Sequence, residues 1–453
     1  MSVPHAQASG GAGAPPIDIL GAVRPGAASA KQDILHYPQL AAAVAQAAPF
    51  QPARLARLRA AKPGTLEYDA ALREVRRFDF IRTSLDLQSA PPNGRQKLSD
   101  ELTQLSIAIF GAPNRRIARE IVHEELQAAN RMLGLPFVDR AQCEWLAAFY
   151  AEKLGDAFTL PAPEYSSVIA QKSAAIAALT QKMHGYLRQN YGDVLDAVTA
   201  NGEASSEIAP PEIAARFAAG LAVLQKRDAA WAAWKVELGE GDALRVAANA
   251  QKIFVGEHRQ PMALAALPAL FGHEVLVHAL RSVQASARGD ALAAVGLPGY
   301  VAFEEGVGCL VELAIGGNDT LEKIRSRYVD VALALGMFGE PLTRRELFEA
   351  VRARLMLQAK VSGKRAPSQA LETRAWQSVN RVYRGSLGNG TVGVCTKDCT
   401  YYNGFESVIS WLDDAAQTAG FATAYDYMLA GKFDPGDLLH AAHMHENGVD
   451  FWH

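Results

Sequence analysis

The chain has 453 residues, 49% of them apolar, with a formal net charge of −3 and four cysteines. That is enough to bury a large core, without the basic excess of a nucleic-acid or anionic-membrane binder or the cysteine density of a disulfide scaffold. No run approaches the roughly 18 apolar residues that span a bilayer. The N-terminal MSVPHAQASGGAGAPPIDIL has no basic segment followed by an apolar one, so a soluble, cytoplasmic protein is expected.

Residues 1–32 are rich in Ala, Gly, Pro and Ser and read as a disordered tail. From 33 to 235 the pattern is helical. EYDAALREVRRFDFIRTSLDL (67–87), RRIAREIVHEELQAANRMLG (115–134) and SSVIAQKSAAIAALTQKMHGYLRQNYG (166–192) carry apolar residues at helical spacing. A second region, 236–453, opens with Gly239 and Gly241 and two short strands, ALRV and KIFVG. An Ala/Leu-rich helix over 262–283 follows, then the turn GLPGY (296–300) and an apolar helix over 301–316. Helices near 343–361 and 367–384 lead to the glycine-rich loop RGSLGNGTVGV (384–394) and the segment CTKDCTYYNGFESVISWLDDAA (395–416). The expected fold class is α+β, predominantly helical, with a small β element preceding the long helix.

That helix contains FGHEVLVHALRS (271–282). His273 and His278 are five residues apart, with Glu274 beside the first. On a regular helix five residues rotate a side chain by about 140°, too far for two ligands to share one ion. A π-turn, with an i→i+5 hydrogen bond, adds the residue that restores a common face. A distorted turn is therefore expected between 273 and 278. A catalytic zinc needs three protein ligands, an open position for water, and a further carboxylate to take the water's proton. Glu304, Glu305 and Glu312 on the next helix are the candidates for the third ligand, with Gly306 and Gly308 permitting close approach. Ionisable groups inside apolar helices are costly unless paired or bound to metal, which favours a site.

HEVLVHALR, GLPGYVAFEEGVG, RVYRG and TKDCTYYNG occur in this order over about residues 240–430. The pattern resembles the microtubule-associated tyrosine carboxypeptidases and their bacterial QEGLP-motif relatives. The resemblance implies a zinc-peptidase-like core binding one Zn2+ ion. His273, His278 and Glu305 would be the metal ligands, with Glu304 the alternative to Glu305, and Glu274 the general base. It implies a metallopeptidase, of carboxypeptidase type, removing a C-terminal tyrosine or other aromatic residue from a peptide or protein. The chain departs from the family in reading Phe-Glu-Glu, without the Gln that relatives often carry, and Gly-Val-Gly after Glu305. Nothing in the residues points to tubulin, nucleic acid or membrane. A catalytically idle peptide binder and an endopeptidase are the rival readings.

A carboxypeptidase must hold a C-terminal carboxylate, for which Arg is suited. Arg281, one turn beyond His278, Arg384 and Lys397 are the candidates, Arg281 being equally suited to an ion pair between helices. A phenol can donate to an oxyanion, and Tyr402 is preferred over Tyr401 and Tyr300. Cys395 and Cys399 have no matching pair for structural zinc, and His440, His443 and His445 read as an ordinary histidine cluster.

Overall fold

The computed structural model describes residues 37–132, 162–200, 202, 206–317, 319–361, 368–386 and 393–451. The tail reading of residues 1–32 and most of the loop 384–394 lie outside them. The fold is predominantly helical with small sheets, as expected.

Four helices, Tyr37–Ala47, Gln51–Ala60, Leu66–Ser89 and Pro92–Phe110, come first. Their starts follow local rules: the Thr65 hydroxyl accepts from the Tyr68 amide with Glu67 and Asp69 in the first turn, and Pro92 opens the fourth helix. Leu40, Phe78, Phe80, Ile81, Leu87 and Leu102 form a core there that Cys395 joins. A larger core draws on both sides of residue 235, joining Leu179, Leu187 and Phe217 to Phe271, Val275, Val311 and Phe405.

The predicted helices over 67–87, 115–134 and 166–192 correspond to Leu66–Ser89, Arg115–Met132 and Ala162–Thr199. The two predicted strands are Leu244–Ala247 and Lys252–Gly256. A third, Lys235–Gly239, pairs parallel to Lys252–Gly256, which occupies the centre with Leu244–Ala247 antiparallel on its other side. KVELG, with its Lys and Glu, carries too few apolar residues to stand out as a strand. A two-residue ribbon pairs Glu207–Ile208 with Met262–Ala263, so the predicted helix at 262–283 begins only at Leu267, with Pro268 in its first turn. No helix among the described residues is long and apolar enough to cross a membrane.

The helix Val301–Ile315 (the glutamate helix) crosses Cys399–Ala419 at the closest backbone approach that positions the site. A Cβ placed on Gly404 would lie 1.6 Å from the Ala302 carbonyl oxygen, and one on Gly306 2.2 Å from the Gly404 carbonyl. Only hydrogen fits at this crossing. Gly404→Ala must push the helices apart and is expected to destabilise the fold by about 1–3 kcal/mol or more. Thermal unfolding followed by circular dichroism checks this; an unchanged midpoint would contradict it.

Candidate metal centre

The histidine helix runs from Leu267 to Ala287 as an α-helix to His273, a π-helix over Glu274–Ala279, and an α-helix from Leu280. The Leu280 amide donates to the Val275 carbonyl, the i→i−5 bond of a π-turn. The inserted residue brings His273 and His278 onto one face, with ring centroids 4.8 Å apart. Val275, Leu276, Val277 and Ala279 are buried in the core, whereas Glu274 and His278 are half-buried and mark the open side of the turn.

The glutamate helix faces this turn. Glu305 Oε2 stands 3.4 Å from His273 Nε2 and 3.9 Å from His278 Nε2. The ligand atoms of His273, His278 and Glu305 all lie within 4.8 Å of one another, the one such three-residue group among the described residues. Ligands at about 2.1 Å around a tetrahedral ion stand about 3.4 Å from each other, and the two carboxylate–imidazole separations are near that value. Gly308 makes room, since a Cβ there would fall 2.6 Å from the His273 ring.

Each imidazole has its other nitrogen against a second carboxylate. His273 Nδ1 is 2.8 Å from Glu312 Oε1, and His278 Nδ1 is 3.2 Å from Glu304 Oε2. Such backing orients a ligand imidazole and raises its basicity. Glu304, the alternative third ligand, is thus placed behind His278, where Lys432 Nζ lies 3.2 Å and Arg281 Nη1 3.9 Å from its other oxygen. Tyr300 lies under Lys432, on this outer side.

The electrostatics follow from these contacts. Burial works against the charge on His273, but Glu305 and Glu312 hold its pKa well above the ordinary range. Burial would raise the glutamates; instead Lys397 and the two histidines hold Glu305 well below it, and Lys432, His278 and Arg281 lower Glu304 to about 2. Glu274 is different. Burial raises its pKa, with the histidines opposing, and it makes no hydrogen bond or ion pair with a described residue. It is the site's uncommitted carboxylate.

Several expected substrate contacts are placed elsewhere. Arg281 is fully buried, donating to the Met428 and Phe433 carbonyls, and braces Glu304 from behind. Lys397 is buried against the centre itself, its Nζ 2.9 Å from Glu305 Oε1 and 3.1 Å from Thr400 Oγ1. Arg384 is buried and helps hold the Asp398 pKa low, along with Arg381, which pairs with both Asp398 oxygens at 2.7 Å. Tyr402 packs on Tyr328 and Phe405 beside Lys172 and Glu406. Tyr401 is the tyrosine beside Lys397: its ring covers Lys397 Nζ at 4.5 Å and its hydroxyl bonds Arg381.

The residues that sequence reasoning passed over are Glu312 as the His273 partner, Lys432, and a basic cluster. Lys323 and Arg327, one turn apart on Thr320–Ala334, lie beside Glu312 and Arg381. Arg327 lowers the Lys323 pKa, and burial and then Arg381 lower that of Arg327. Neither side chain makes an ion pair with a described residue. Their i,i+4 spacing was the available signal. The distractors are structural: His440 bridges the Asp434 amide and the Pro298 carbonyl, His443 pairs with Asp290, and Cys395 and Cys399 are free thiols.

Residues 365–450 match the model of the family described as microtubule-associated tyrosine carboxypeptidase. The matched segment contains Arg381, Lys397 and Tyr401, and lies beyond the histidine and glutamate helices. No curated protein matches. A crystal structure of the "putative lipoprotein from Colwellia psychrerythraea" is 14% identical, with 92% of this chain and 75% of that chain covered and a TM-score of 0.31. The similarity to the microtubule-associated tyrosine carboxypeptidase family is therefore one of residues 365–450, about a fifth of the chain.

Proposed function

We propose that the chain is a zinc-dependent peptidase that removes a residue from the C-terminus of a peptide or protein. The observation that carries this reading is the convergence of His273, His278 and Glu305 within 4.8 Å, with Glu274 uncommitted beside them. A zinc ion held by those three residues would polarise the scissile carbonyl and acidify water. Glu274 takes the proton of the attacking water and delivers it to the leaving amine. Burial raises its pKa, the direction that favours a group which must accept a proton. Tyr401, its hydroxyl already accepting from Arg381, has its own O–H available for the developing oxyanion.

The family match supports a peptide or protein substrate. Exopeptidase action is supported by Lys323 and Arg327, adjacent cations without a described ion-pair partner, next to the Glu312–His273 edge of the centre. Arg327 offers the planar fork that matches a terminal carboxylate.

Zinc-loaded chain incubated with a peptide pool is expected to release single C-terminal residues, read by mass spectrometry. Glu274→Gln should lower kcat by about 10²–10⁴-fold, the usual contribution of a general base, without removing the bound metal. Internal cuts would indicate an endopeptidase, and intact peptides a binding role. Arg327→Ala should raise KM about 10-fold to 100-fold for peptides with a free terminus and not for amidated ones; equal effects on both would remove Arg327 from the carboxylate site. Tyr401→Phe should lower kcat by about 10²-fold, with Tyr402→Phe close to wild type; the reverse order would return the oxyanion role to Tyr402.

A further inference from the structure

The Lys397 ammonium makes two hydrogen bonds and one cation–π contact at the centre. Nζ stands 2.9 Å from Glu305 Oε1, 3.1 Å from Thr400 Oγ1 and 4.5 Å from the centroid of the Tyr401 ring. Thr400 in turn donates to the Lys397 carbonyl at 2.6 Å, so the hydroxyl's hydrogen is used and its lone pair faces the ammonium. Lys397 and Thr400 are both almost fully buried, and the short 3-10 turn Thr396–Asp398 that carries Lys397 is fixed by the Thr396 amide donating to Ser106 Oγ at 2.8 Å and by the Arg381–Asp398 pair. This is a rigid cation whose position is set from several sides.

Its effect falls on one atom. Glu305 Oε1 is occupied by the ammonium, while Oε2 is the oxygen that converges with the two imidazoles. A carboxylate with both oxygens free can close on a metal through two of them and fill the position a catalytic water needs. We infer that Lys397 is a positioning residue that restricts Glu305 to one metal-facing oxygen and thereby keeps the fourth coordination position open. This rests on the reading of His273, His278 and Glu305 as a metal site. It replaces the expectation that Lys397 binds the substrate's carboxylate.

The test uses the full chain loaded with Co2+, whose visible absorption separates four-coordinate from higher-coordinate sites. Wild type should show the intense bands of a four-coordinate ion. Lys397→Met should shift toward the weaker bands of higher coordination, and in the zinc form kcat should fall at least tenfold with KM nearly unchanged. Thr400→Val, which removes a neutral hold on the ammonium and preserves shape, should move both readouts the same way by less, and it serves if the Met variant does not fold. A cobalt spectrum and kcat equal to wild type in a folded variant would overturn the role of Lys397 alone. Failure of the wild-type chain to take up cobalt or zinc would overturn the metal reading and this inference with it. A rise in KM without a spectral change would return Lys397 to substrate binding.

Discussion

The site depends on a contact with no side chains in it. The glutamate helix and Cys399–Ala419 meet backbone to backbone at Gly306 and Gly404, where a methyl group would overlap the facing main chain. Packing at this distance decides which way the glutamate helix is rotated, and rotation decides what each of its carboxylates meets. It also brings the start of Cys399–Ala419, with Thr400 and Tyr401, and the preceding turn with Lys397, against Glu305. On the other side Gly308 leaves space for the His273 ring. Three helices thereby place two imidazoles, a carboxylate and an ammonium around one point.

A set of buried charges so dense is tolerable because each has a specific partner. Glu304 answers His278, Arg281 and Lys432; Glu312 answers His273; Glu305 answers both imidazoles and Lys397. Removing one member strands another in a poorly solvated place, which is why such networks act as units. Glu274 and the Lys323–Arg327 pair stand outside this matching. They are the ionisable groups beside the centre that lack such a partner among the described residues.

Much of this was legible in local order. The apolar periodicities locate most helices because burial of one face follows directly from a 3.6-residue repeat. The five-residue interval in HEVLVH indicates the π-turn, since no regular helix aligns those histidines. What the helical repeat leaves undecided is the choice between neighbours. Glu304 and Glu305 differ by about 100° of helix rotation, as do Tyr401 and Tyr402. The sequence pattern favours Tyr402 as the phenol, whereas in the fold it is Tyr401 that meets Lys397 and Arg381. Glu312, two turns from Glu305 on the same face, was readable from its spacing. Lys432 had no local signal, because 128 positions separate it from the Glu304 it meets.

By itself, then, the sequence determined the kinds of group present, the helices that carry them and the irregular turn that aligns the histidines. These depend on intervals of a few residues, where backbone geometry is repetitive. Only the tertiary structure decided that Glu305 faces the imidazoles, that Arg281 and Lys397 brace carboxylates, and that Arg327 is left without a described ion-pair partner. Those outcomes follow from how far each helix is turned where it touches another, and that angle is set by distant partners meeting at positions such as Gly306 and Gly404.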